Sequence, residues 1–317
     1  MLCTSRLSPL VLWLLWLAAL PAVVADDSRG VRLGEQTTSR WRFGVVVKAP
    51  GGPVSGIRAT LPVPMDWPEQ TVKKVSEEKT PNVDAVTYKT LDGGVKQMIV
   101  TIPRLAAGGE ASALVTLEIT KRRIEPPAET SVYQAPPKPG AELKKFLSPS
   151  PYIESKDPKI ESLAARLTAD KPQAWDKTAA IFDWVRENVK YEFADEIRPA
   201  NVALSDGKGD CEELSSLVIA LCRASKIPAR AVWIPRHTYP EFYLVDDHGQ
   251  GHWFPCQAAG AERQFGGMVE ERPILQKGDN FTVPGERAPQ RYVQQSLKAK
   301  DAAAPPDVKF IMERVSE

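Results

Sequence analysis

The hydrophobic period changes twice along this chain, so neither one sheet nor one helical bundle can account for it. From Trp41 to about Thr120 apolar and polar residues alternate in short runs at 45–47, 57–61, 83–88, 98–102 and 113–119. Asp92-Gly93-Gly94 lies between two of these runs and suits a hairpin turn. Ile160, Leu163 and Leu167 then recur at helical spacing, as do Ile181, Val185 and Val189. After Gly209-Asp210-Cys211, the residues Leu214, Leu217, Val218, Leu221 and Cys222 stand at i, i+3, i+4, i+7 and i+8, one buried stripe of a helix that must stop before Pro228. Beyond that proline the alternation returns at 231–234, 237–245 and 252–257, with a polar, glycine-containing turn between the last two runs.

These switches predict an α+β protein with an N-terminal β-sandwich followed by a domain in which a helix packs on an antiparallel sheet. Proline, at 28 residues, clusters where the period changes, as in Glu125-Pro126-Pro127 and Ala135-Pro136-Pro137. The expected organisation is a signal at 1–25, a sandwich at 26–125, a linker at 126–158, the mixed domain at 159–275, and a partly disordered extension at 276–317. The signal reading rests on Arg6, an uncharged apolar run over 10–20 and small residues before Asp26. It implies export to the periplasm, the cell envelope or the medium. No later segment is long and apolar enough to span a bilayer. Lys plus Arg number 41 against 40 Asp plus Glu, so nucleic acid is not an expected partner.

Of the four cysteines, Cys3 falls in the signal, which leaves Cys211, Cys222 and Cys256. An odd count in an oxidising compartment leaves a thiol without an intramolecular partner. Cys222 reads as core packing, with a disulfide to Cys256 as the alternative. Cys211 opens a helix, where unpaired N–H groups and the helix dipole favour thiolate over thiol. His237 begins the first strand of the hairpin and can serve as its base. A third group must then hold the imidazole, and Gln257, at the end of the second strand, is the candidate. Trp253, Pro255 and Gln257 alternate onto one face, and His252, Phe254 and Cys256 onto the other. That alternation also splits the side chains a zinc site would need, so neither metal nor other cofactor is expected.

Four stretches carry a family resemblance: Gly209-Asp210-Cys211; the run 221–230, with Cys222, Arg223, Pro228 and Arg230; the run 237–244 that starts at His237; and Trp253-Phe254-Pro255-Cys256-Gln257. Their order resembles that of the transglutaminase-like superfamily, relatives of the papain-type fold, over roughly residues 159–260. The resemblance implies a Cys211 nucleophile, a His237 base and an orienting residue at 257, where the family usually has Asp and this chain has Gln. It implies attack on a peptide amide, a thioester intermediate, and then hydrolysis or transamidation. Glu241, four residues after His237, could supply the charge that Gln257 lacks, and Trp253, Tyr239 and Glu241 are expected to line the substrate cleft. The rival expectation is a catalytically silent copy of the fold that binds a peptide or protein of the envelope.

Overall fold

The computed structural model describes residues 29–315; the signal expected at 1–25 lies outside them. The elements in chain order are β1 (Arg32–Lys48), β2 (Val54–Pro62), β3 (Gln70–Lys79), β4 (Ala85–Leu91), β5 (Val95–Leu105), β6 (Glu110–Glu125), α1 (Ala141–Lys144), α2 (Pro158–Thr168) and α3 (Ala174–Asn188). There follow β7 (Lys190–Tyr191), α4 (Ala200–Asp206), β8 (Lys208–Gly209), α5 (Cys211–Ala224), β9 (Ala229–Ile234), β10 (His237–Val245) and β11 (Gly251–Pro255). The chain ends with β12 (Gln276–Lys277), β13 (Ser296–Lys298), β14 (Asp301–Ala302) and β15 (Asp307–Val315). The architecture is α+β, with antiparallel main sheets.

The early alternation becomes two facing sheets. One has the order β15-β1-β6-β3 and the other β13-β2-β5-β4, with β14 also on β2. Every second residue of β1 from Trp41 to Val47 and of β6 from Ala111 to Ile119 is buried, as are Ile57, Ala59 and Leu61 of β2. Each large apolar side chain so covered contributes about 1.5–3 kcal/mol. Asp92–Gly94 joins β4 to β5, with Gly93 and Gly94 at φ +93° and +81°, values that a side chain would strain.

In the second unit, α2, α3 and α5 share one core with β9, β10 and β11. Helix α5 is buried all round from Glu213 to Arg223 because other helices flank it and the sheet lies beneath it. Lys226 follows it at φ +65°, a left-handed stop, and the Ile227 N–H donates to Cys222 O at 2.9 Å. The segment expected to be a linker contributes Tyr133 and Ile153 to the same core, and Gln134 pairs with Val245 at the sheet edge.

The end of the chain differs from expectation. Residues 276–315 are not a fraying extension: β12 pairs with β9, β13 and β14 pair with β2, and β15 pairs with β1 in continuous register from Arg40↔Val315 to Lys48↔Asp307. The sandwich is therefore discontinuous in sequence, and its edges draw on the C-terminal residues. The reason is physical: without β15, the long strand β1 would present a row of unpaired N–H and C=O groups to solvent. Truncation after Pro306 is expected to lower Tm and to produce higher-mass species in size-exclusion chromatography with light scattering; a monomer of unchanged Tm would contradict this role for β15.

Candidate functional site

Asp210 caps α5 and starts the site. Its side chain accepts from the Glu212 N–H at 2.7 Å, while the Glu213 carboxylate accepts the Asp210 N–H at 2.7 Å, a reciprocal capping box. Cys211 is thus fixed as the first helical residue, and the amide N–H groups of Cys211 itself and of Thr238 face its sulfur. Thr238 is held in turn by α5 and β9: Ser215 Oγ donates to Thr238 O at 3.2 Å and Thr238 Oγ1 donates to Val232 O at 2.9 Å. The residue that precedes Thr238 is His237, so helix start and strand start meet at the thiol.

The His237 Nε2–H donates to Gln257 Oε1 at 2.9 Å, which leaves Nδ1 with its lone pair. Gln257 reaches the ring because the chain leaves the sheet after β11. The Cys256 N–H donates to Pro240 O at 2.9 Å and keeps Cys256 in the core, while the next side chain swings the other way, as strand alternation requires. Arg186 of α3 donates to Gln257 O at 2.9 Å, and the Gln257 N–H donates to Gln264 O at 2.9 Å. The amide is therefore set from both sides.

The electrostatics depart from the simple helix-dipole expectation. Burial pushes the Cys211 thiol up to about 11, helped by the carboxylates of Asp210 and Glu212 and opposed by the two N–H groups. Three acidic residues at the first turn, Asp210, Glu212 and Glu213, offset the positive end of the helix. Burial also lowers His237 below its ordinary 6.5, with the Gln257 contact acting in the opposite sense and Arg272 adding to the fall. The resting pair is thiol and neutral imidazole.

Several nearby groups were not evident in the sequence. Arg272 Nη1 donates to Pro235 O at 3.1 Å, bracing the turn that presents His237, while its Nε and Nη2 donate to Glu270 at 2.9 and 2.7 Å. Its segment has no periodicity to flag it. Tyr191, 55% exposed, stands opposite Gly209 in the parallel β7–β8 pair; desolvation raises its phenol, and charge on Cys211 and Asp210 adds to the rise. A cavity of about 320 Å³ on the Gln257 side is walled by Ser39, Trp41 and Arg314 of the sandwich together with Gln264, Glu270 and Arg272.

The three expected cleft residues are not brought there. Tyr239 is fully buried. Glu241 is also buried, bound by Arg230 at 2.8 Å and by Lys277 at 2.6 Å, so its charge is committed elsewhere. Lys277 also meets Glu69 at 2.6 Å, and this chain of charges ties the sheet to the sandwich. Trp253 pairs with Tyr243, six residues along β10 from His237, and lies under the Arg230 guanidinium at 3.9 Å. Cys222 and Cys256 are buried, free thiols of the same core. Among the described residues no group of three or more His, Cys, Asp or Glu side chains is placed to hold a metal ion.

Residues 161–258 match the family model for the transglutaminase-like superfamily. That segment is a transglutaminase-like domain. It holds most of α2, all of α3 to α5, strands β9 to β11 of the four-stranded sheet, and Cys211, His237 and Gln257. Beyond the transglutaminase-like domain, the chain is similar in fold to a solved structure described as "Putative Cysteine Protease from Cytophaga hutchinsonii". The two are 17% identical, with a TM-score of 0.59 over 89% of this chain and 93% of that one, so the likeness takes in the sandwich. A structure described as a "putative protease from Parabacteroides distasonis" aligns at 15% identity over 69% of this chain and 48% of that one, with a TM-score of 0.27. No curated protein matches the chain.

Proposed function

We propose that the transglutaminase-like domain breaks peptide amide bonds through a thioester on Cys211, in an exported protein of the cell envelope or its surroundings. The observation that carries this reading is the 2.9 Å bond from the His237 Nε2–H to Gln257, on a strand whose next residue, Thr238, turns its N–H to the Cys211 thiol at the start of α5. In the proposed step the thiol proton passes to His237 Nδ1 as sulfur bonds to the amide carbonyl carbon. The resulting oxyanion is stabilised by the N–H of Cys211, the helix-start donor that the Asp210 cap leaves free. As the C–N bond breaks, the imidazolium gives its proton to the departing amine and leaves the acyl group on sulfur. Water then completes hydrolysis, or an amine completes transamidation.

The high thiol pKa and the uncharged Gln257 favour a second reading, a catalytically silent domain that retains peptide binding. Intact-protein mass spectrometry after exposure to a peptide-based acylating probe separates the two. A single acyl adduct that maps to Cys211 and disappears in Cys211→Ala is expected. A protein that stays unmodified over hours at pH 7–8, while a catalytic cysteine protease in parallel is labelled, would refute the enzymatic reading.

A further inference from the structure

A second cavity, of about 230 Å³, is lined by His237 and not by Gln257. Trp233 and Ile234 of β9, Tyr292 of the C-terminal segment and Met312 of β15 form apolar wall, and Arg236 stands at its rim. The cavity is thus built from both parts of the molecule, and His237 is among the residues that line it. Two observations mark Arg236. It is exposed and no carboxylate among the described residues pairs with it, whereas the other arginine at this cavity, Arg291, is taken up by Glu212 and lies on the Trp233 ring at 4.9 Å. It also sits at φ +59° in the two-residue turn between β9 and β10, a left-handed conformation that strains a non-glycine residue. Glycine would meet the demands of that turn without strain.

We propose that this cavity is a subsite for an apolar side chain of the bound peptide, and that Arg236 binds a carboxylate on the adjoining peptide residue. The occupant follows from the lining. An apolar side chain gains by leaving water for the Trp233–Met312 walls, and the unpaired guanidinium at the mouth favours an acidic neighbour over a basic one. The proposal rests on the peptide-amide reading for its role in catalysis, but the binding itself needs no turnover. Because Met312 comes from β15, the C-terminal strand would act in substrate selection as well as closing the sandwich.

The test is fluorescence anisotropy with full-length Cys211→Ala protein and fluorescein-labelled hexapeptides that carry Leu-Asp, Gly-Asp or Leu-Lys at the same two positions. Leu-Asp is expected to bind about tenfold more tightly than either of the others. Arg236→Glu should reverse the Asp-over-Lys order, Arg236→Gly should erase it, and Met312→Ala should narrow the Leu-over-Gly ratio alone. Equal affinity for the three peptides, no measurable binding of any, or an Asp preference that survives Arg236→Glu would overturn the subsite. Acylation of the wild-type thiol by p-nitrophenyl acetate, which carries neither an apolar side chain nor a carboxylate, reports separately on Cys211 chemistry. Failure of that reaction would count against the enzymatic reading, and failure of the binding pattern against the subsite.

Discussion

His237→Ala is expected to slow acylation of Cys211 by about 10²- to 10⁴-fold, the span attributed to a positioned general base. The size of the loss follows from the state of the thiol. With burial and the Asp210 carboxylate holding it at about 11, little thiolate exists near neutral pH, and attack requires that the proton be removed as the bond to carbon forms. The pH dependence follows with a definite sign. His237 is pushed below 6.5 by burial, so the neutral base persists into mildly acidic solution and the acid limb of the rate falls below 6.5. The alkaline limb lies near the thiol value of about 11, above which the thiol no longer holds the proton that His237 passes to the leaving amine. Gln257→Glu places a carboxylate at the Nε2–H and should move the acid limb to higher pH, because it stabilises imidazolium. These outcomes are read from rates of acylation against pH, with iodoacetamide alkylation of the free protein as companion. Alkylation governed by a pKa well below the ordinary 8.5 would instead reveal a preformed thiolate–imidazolium pair and contradict a resting state of thiol and neutral imidazole.

Asp279→Ala is expected to cost about 3–5 kcal/mol of folding stability, measured by urea denaturation. Arg223 and Asp279 are buried together, and Arg223 Nη2 donates to both Asp279 oxygens at 2.8 Å. The guanidinium also reaches Ala229 O through Nε and Nη2 at 3.0 and 2.7 Å, Ser148 O at 2.8 Å and Ser150 Oγ at 2.9 Å. Ser150 Oγ donates to the same carboxylate at 2.6 Å. One ion pair thus joins the end of α5, strand β9, the segment before α2 and the C-terminal run. Loss of the carboxylate leaves a cation in the core with no counter-charge, which is the costly case for a buried pair. Against a usual total of about 5–15 kcal/mol, such a loss removes a large share of stability. Replacing both residues, as in Arg223→Met with Asp279→Leu, should cost less than Asp279→Ala alone because no charge is stranded. A double replacement at least as damaging as the single one would mean that packing, not charge, sets the cost.

Some of the site was legible in the residue order alone. The apolar stripe from Leu214 to Cys222 put Cys211 at the start of a helix, and in the structure the Asp210–Glu213 capping box fixes it as the first residue of α5. The alternation past Pro255 likewise sent Cys256 inward and left Gln257 for His237. What failed was reasoning that depended on long-range partners. Glu241 lies on the expected strand, but the cations that claim it come from β9 and β12. Tyr239 and Trp253 were placed at a cleft by their type, whereas one lies within the core and the other beneath Arg230. Arg272 gave no signal because its role is to hold a carbonyl far away in the sequence.

Local periodicity and turn residues by themselves determined the order of the main strands and helices, the helix that carries Cys211, and the strand that carries His237, because these depend on neighbours within a few residues. Tertiary structure alone decided that the C-terminal strand completes the sandwich, that Arg223 and Asp279 are buried as a pair, and that the thiol at the start of α5 is pushed up rather than down. Those outcomes depend on which unpaired edges and charges meet across the fold, and on the loss of water around them.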